Sequence, residues 1–157
     1  MRIHLRILAA VMTLAAAVLV PGARAQRADA GKSAEPSLIQ PSELAKLLLS
    51  PKGDKPLVIQ VGFHVLYEQA HIPGSEYIGP ASEDKALSRL RERVKALPRG
   101  AFIVLYCGCC PWIRCPNVKP AYAGLRALGF KNVKVLWIAD NFGADWVDKG
   151  YPVAKGR

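Results

Sequence analysis

Outside one short stretch the sequence has no cysteine: all four, Cys107, Cys109, Cys110 and Cys115, fall within "CGCCPWIRC". That excludes a disulfide framework spread through the chain, the device that holds small secreted scaffolds together. Histidine is scarce too, 3 in 157 residues, which excludes a histidine-rich metal centre. Acidic residues number 12 against 22 Lys and Arg, a net charge of +10. The basic residues are scattered along helices and turns, and no aromatics interleave a basic run. This is a solvated basic surface, and no nucleic-acid partner is expected. No apolar run beyond the first twenty residues is long enough to cross a bilayer, and there is no internal repeat.

The chain begins with a basic start, "MRIHLR", an apolar run, "ILAAVMTLAAAVLV", and "PGARA" with small residues at Ala23 and Ala25. This is the pattern of a secretory signal peptide over residues 1–25, which predicts a periplasmic or secreted protein with no membrane attachment after cleavage. Cleavage would also remove Arg2, Arg6 and Arg24 and so lower the net charge. Residues 26–37, "QRADAGKSAEPS", are small, polar and aperiodic and read as a flexible linker. Residues 38–157 suffice for one domain with a sizeable core.

Within that domain helical and strand patterns alternate. "PSELAKLLLS" places Leu44, Leu47 and Leu48 on one helix face. "LVIQV" (57–61), "AFIVLY" (101–106) and "VKVLWI" (133–138) are short apolar runs of the kind buried on both faces of a parallel sheet. "SEDKALSRLRERVKALPRG" carries a stripe of Leu87, Leu90, Val94 and Leu97, with Ser82 as the expected cap. "NVKPAYAGLRALG" turns Val118, Tyr122, Leu125 and Leu128 inward and stops at Gly129. An extended piece is expected at Tyr77–Ile78, and a last short helix or loop in "ADNFGADWVDKGYPV". The alternation predicts an α/β domain of three layers, a parallel central sheet with helices on both faces.

The order of these pieces resembles a rhodanese-like domain. "PLVIQVGFHVLYEQAHIPGSEYI" looks like the first half of that family, "AFIVLYCGCC" like its central strand ending in a cysteine, and "AGLRALGFKNVKVLWIADNFGADWVDKGYPV" like its tail. The resemblance covers about Leu38 to Val153. It implies that Cys107 takes a sulfur atom from a donor, becomes a persulfide and passes the sulfur on. A thiol at the carboxyl end of a central strand sits where α/β sheets bind ligands, and nearby backbone N–H groups can hold an anionic sulfur. Two departures leave the catalytic activity itself open. Trp112 stands where the family's loop carries arginine, and Gln60-Val61-Gly62 replaces its Asp-x-Arg.

For the cysteine loop three chemistries compete. In the first, Cys107 is the nucleophile, Cys110 the resolving partner of a Cys-x-x-Cys pair, and Cys115, ahead of the next helix, a rival nucleophile. Arg114 would then bind the anionic group of a small sulfur donor, or a thiol or disulfide partner protein would dock there. Gly108, Cys109 and Trp112 complete the binding loop, and His64, after the first strand, could reach the same sheet edge as a base or donor. The second chemistry is a pair of structural disulfides in a non-enzymatic module. The third is a thiolate metal site for Cu(I) or Zn(II). No cofactor is expected. His71, in "HIPGS", is expected to hold a turn by hydrogen bonds.

Overall fold

Apolar periodicity is converted into layers as the pattern demands. The computed structural model describes residues 35–156; the expected signal peptide and most of the expected linker lie outside the described residues. The elements are β1 (Leu38–Ile39), α1 (Pro41–Leu49), β2 (Leu57–Gln60), α2 (His64–Gln69), β3 (Glu76–Tyr77), α3 (Asp84–Val94), β4 (Ile103–Tyr106), α4 (Val118–Ala127) and β5 (Val133–Leu136). A 3-10 turn spans Trp112–Arg114 and a π-helical turn Gly143–Val147. The strands form one parallel sheet in the order β1-β5-β4-β2-β3, so β4 is central.

Side chains alternate across a strand with period two, which divides the sheet residues between two cores. Ile59, Val61, Ile103, Leu105 and Val135 pack with Leu90 and Val94 of α3 and with Val118, Tyr122 and Leu125 of α4. Val58, Val104, Tyr106 and Leu136 pack on the other face with Leu44 of α1, Phe142 and the fully buried Trp146. Cys107, next in register after Leu105, therefore turns its side chain toward α3 and α4. Of the stripes expected of α3 and α4, Leu90, Val94, Val118, Tyr122 and Leu125 are buried, while Leu87, Leu97 and Leu128 pack against that core only in part. Gly129, at φ +87°, ends α4 in the left-handed region that favours glycine.

Three details differ from expectation. The edge strand β1 is only two residues long, too short to leave a periodic signal. Helix α3 starts at Asp84 with Glu83 as its cap residue, so Ser82 does not cap it; the Ser82 N–H instead donates to Asn117 Oδ1 at 2.9 Å. The strand at 76–77 ends one residue earlier than the expected extended piece. His71 does hold its turn. Its ring stacks on Tyr67 at 3.9 Å, its Nδ1 lies 2.8 Å from the Tyr67 carbonyl, and its backbone bridges to Ala154.

Candidate functional site: a buried cysteine cluster at the end of the central strand

Cys107 is the first residue beyond β4 and is 3% exposed. Three contacts fix its position. The Gln60 side-chain amide donates to the Cys107 carbonyl at 3.0 Å, while Gln60 Oε1 accepts the Gly62 N–H at 3.1 Å, so one buried glutamine ties the ends of β2 and β4 together. Asn117 Nδ2 donates to Cys107 Sγ at 3.3 Å. Gly62 packs directly on the thiol, since a Cβ there would stand 2.7 Å from Cys107 Sγ and 2.8 Å from its carbonyl oxygen.

Gly108, at φ +89°, bends the chain sharply, and its carbonyl accepts the Phe142 N–H at 3.0 Å. The bend brings Cys109 Sγ to 3.3 Å from Cys107 Sγ, and Cys110 Sγ follows at 3.1 Å from Cys109. Cys115, 2% exposed, completes a group in which the sulfurs of Cys107, Cys109 and Cys115 lie within 4.8 Å of one another. All four cysteines are free thiols. The structure thus sets Cys109, rather than the expected Cys110, against Cys107.

The thiols are not equivalent. Burial, then the contact with Cys110, pushes Cys109 up to about 12, and burial also raises Cys110, whose charged form Arg114 favours. Cys115 is raised far above the usual thiol range, first by the neighbouring Cys107 sulfur and then by burial. The backbone N–H groups of Asn117 and Val118, at the start of α4, act on Cys115 in the opposite sense and are outweighed. The positive helix end is therefore spent on Cys115 without making it an acidic nucleophile. The sign of the pH dependence follows. A pKa of about 12 against 9.0 for the ordinary thiol means that the fold favours protonated Cys109. That stabilisation is complete below pH 9 and is lost as pH rises from there toward 12. Denaturant midpoints measured across this range should fall, and Cys109→Ser should flatten the fall; an equal slope in the variant would refute the assignment.

The remaining expected residues divide. Arg114 is exposed on the 3-10 turn, next to Cys110. Trp112 is half-buried against the α3–α4 core and its N–H donates to the Ile138 carbonyl at 2.9 Å. The N–H groups of Arg114 and Cys115 close local turns onto Pro111 and Trp112, so neither points at the Cys107 sulfur. His64 is exposed at the start of α2, its ring 4.8 Å from Tyr77 and its Nδ1 3.7 Å from Glu68, apart from the cysteine group. Sequence reasoning missed Asn117 and the tying role of Gln60. Gln60 lies within the apolar run 57–61 and Asn117 directly before α4, and each is almost wholly buried.

A cleft of about 120 Å³ opens beside the loop, lined by Gln60, Leu66, Gln69, Ala70, Tyr106, Cys107, Gly108, Phe142, Gly143 and Val147. No charged side chain lines it. The Tyr106 hydroxyl is occupied with Ser75 and the Ile72 N–H. No helix among the described residues is long and apolar enough to cross a membrane.

Residues 40–137, more than half of the chain, match the family model of the rhodanese-like domain. Among solved structures the chain is similar to the Alr3790 protein from Anabaena sp. (TM-score 0.57, 18% identity, covering 75% of this chain and 92% of that one). It is also similar to the single-domain sulfurtransferase RDL2 of Saccharomyces cerevisiae (TM-score 0.53, 20% identity, 73% and 91% covered). A thiosulfate sulfurtransferase from Pseudomonas aeruginosa matches at 26% identity and TM-score 0.57, over 80% of this chain and 20% of that one. No curated protein matches the sequence.

Proposed function

The chain belongs to the rhodanese-like domain family, and we propose that it is an exported sulfur carrier that holds sulfane sulfur as a persulfide on Cys107. One observation carries the proposal. The Cys107 sulfur is buried at the carboxyl end of the central strand, and the Asn117 amide donates to it at 3.3 Å. Burying a sulfur that will carry charge is otherwise costly, and a hydrogen-bond donor beside it offsets part of that cost.

In the transfer step the Cys107 thiolate attacks the outer sulfur of a donor R–S–SH. A bond forms between Cys107 Sγ and that sulfur, the donor's S–S bond breaks, and R–SH leaves with the proton. Cys109, 3.3 Å away, is the thiol placed to attack the persulfide in turn. It would bond to Cys107 Sγ, expel the outer sulfur as sulfide, and leave a Cys107–Cys109 disulfide for a partner thiol to reduce.

The cleft favours a donor without a free anionic head. Its polar side chains are Gln60, Gln69 and Tyr106, and Arg114 is not among its lining residues. A small alkyl persulfide is therefore expected to load Cys107 faster than thiosulfate does. The test is intact-mass spectrometry of reduced protein after each donor. Gain of one sulfur atom, removed by reductant and faster with the alkyl persulfide, is the expected result. Faster loading by thiosulfate would reverse the donor assignment, and no gain with either donor in Cys109→Ser, where the resolving thiol is absent, would end the carrier reading.

A further inference from the structure

Three of the four thiols are held in a way that sulfur transfer alone does not require. Transfer needs one nucleophile and one resolving thiol. Here Cys107, Cys109 and Cys115 bring three sulfurs within 4.8 Å of one another, from three separately anchored pieces of chain. Cys107 is fixed by β4 and Gln60, Cys109 by the bend at Gly108, and Cys115 by the 3-10 turn whose Trp112 N–H is bonded to Ile138. No histidine or carboxylate joins the group among the described residues.

We infer that Cys107, Cys109 and Cys115 form a three-coordinate thiolate site for a single copper(I) ion. The donor set selects the ion. Thiolate sulfur alone favours soft ions and offers nothing to Mg²⁺, Ca²⁺ or Mn²⁺. A metal bonded to three sulfurs at about 2.3 Å needs them about 4 Å apart in a plane, close to the spacing here. The Cys107–Cys109 edge, at 3.3 Å, would widen by about 0.7 Å to reach that spacing. Structural zinc closes a tetrahedron. The fourth sulfur, Cys110, lies 3.1 Å from Cys109 and also interacts with Cys115, but it is not part of the group of three. Outer groups are arranged to support the negative charge of the thiolates. Asn117 Nδ2 donates to Cys107, and the N–H groups of Asn117 and Val118 face Cys115. Cys107 is common to this site and to the persulfide, so an ion in place blocks sulfur loading.

The experiment is anaerobic titration of the reduced protein with Cu(I) against a chromophoric Cu(I) chelator, with X-ray absorption on the loaded form. One ion per chain bound by three sulfurs is expected. Cys109→Ser and Cys115→Ser should each weaken binding at least about 100-fold, the upper end of what losing a mere supporting group costs. Cys110→Ser should leave affinity unchanged. Coordination by two sulfurs or preference for Zn(II) over Cu(I) would each overturn the site whether or not any variant folds, and so would dependence on Cys110 in a folded Cys110→Ser. The sulfur reading is judged separately, by the copper-free mass gain. Copper binding without sulfur gain sinks only that reading, and sulfur gain without copper binding sinks only this one.

Discussion

Cys107→Ser is expected to abolish loading by an alkyl persulfide, lowering its rate by at least about 10³-fold. Serine nearly preserves the volume of the buried side chain and can still accept from Asn117 Nδ2, so the fold and the Gln60 tie should survive. What is lost is the sulfur nucleophile that the Asn117 amide meets at the end of the central strand. Neither neighbour is equipped to take over: Cys109 is pushed up to about 12 and Cys115 further still. Intact mass against time, with circular dichroism as the fold control, gives the answer. If Cys107→Ser gains sulfur at the wild-type rate, the carrier is another thiol, and the half-buried Cys110 is the first to examine. Cys109→Ser should behave in the opposite way. It should load normally and then retain its sulfur, because the thiol that expels sulfide is gone.

Gly62→Ala should cost about 1–3 kcal/mol of stability, the range for forcing extra volume into a packed interior. The added methyl would stand 2.7 Å from Cys107 Sγ, 2.8 Å from the Cys107 carbonyl oxygen and 3.1 Å from Gln60 Nε2. Two of these are the atoms that position the nucleophile, and the carbonyl is backbone held by Gln60, so it has little freedom to yield. Loss of sulfur loading should accompany loss of stability. Gly124→Ala is the control: it lies within α4, its Cβ would meet open space, and alanine is the better helix former, so the change should be neutral or mildly stabilising. Denaturant midpoints for the two variants decide the matter. Equal stability of Gly62→Ala and wild type would mean that the ends of β2 and β4 part easily, and that the close packing on Cys107 is not a constraint on function.

The sequence by itself determined what depends on local periodicity. The stripe of Leu87, Leu90 and Val94, the inward set of Val118, Tyr122 and Leu125, and the three apolar runs were enough to define α3, α4, β2, β4 and β5. A parallel sheet followed, because strands alternated with helices. Gly129 marked the end of α4 because a helix commonly stops on a left-handed glycine. The position of Cys107 at the end of the central strand was legible for the same reason, since it directly follows "IVLY".

Only the tertiary structure decided which groups meet that sulfur. Asn117 reaches it across 10 residues, Gln60 holds its carbonyl across 47, and Ser82 meets Asn117 across 35. No periodicity encodes such contacts, because they depend on how separate elements pack and which polar groups burial leaves needing a partner. Within the loop itself, spacing pointed to the Cys-x-x-Cys pair of Cys107 and Cys110. The left-handed turn at Gly108 instead folds Cys109 onto Cys107, and the route of the chain through the 3-10 turn returns Cys115 to the same place. Sequence distance sets which thiols can meet; backbone conformation and burial select those that do.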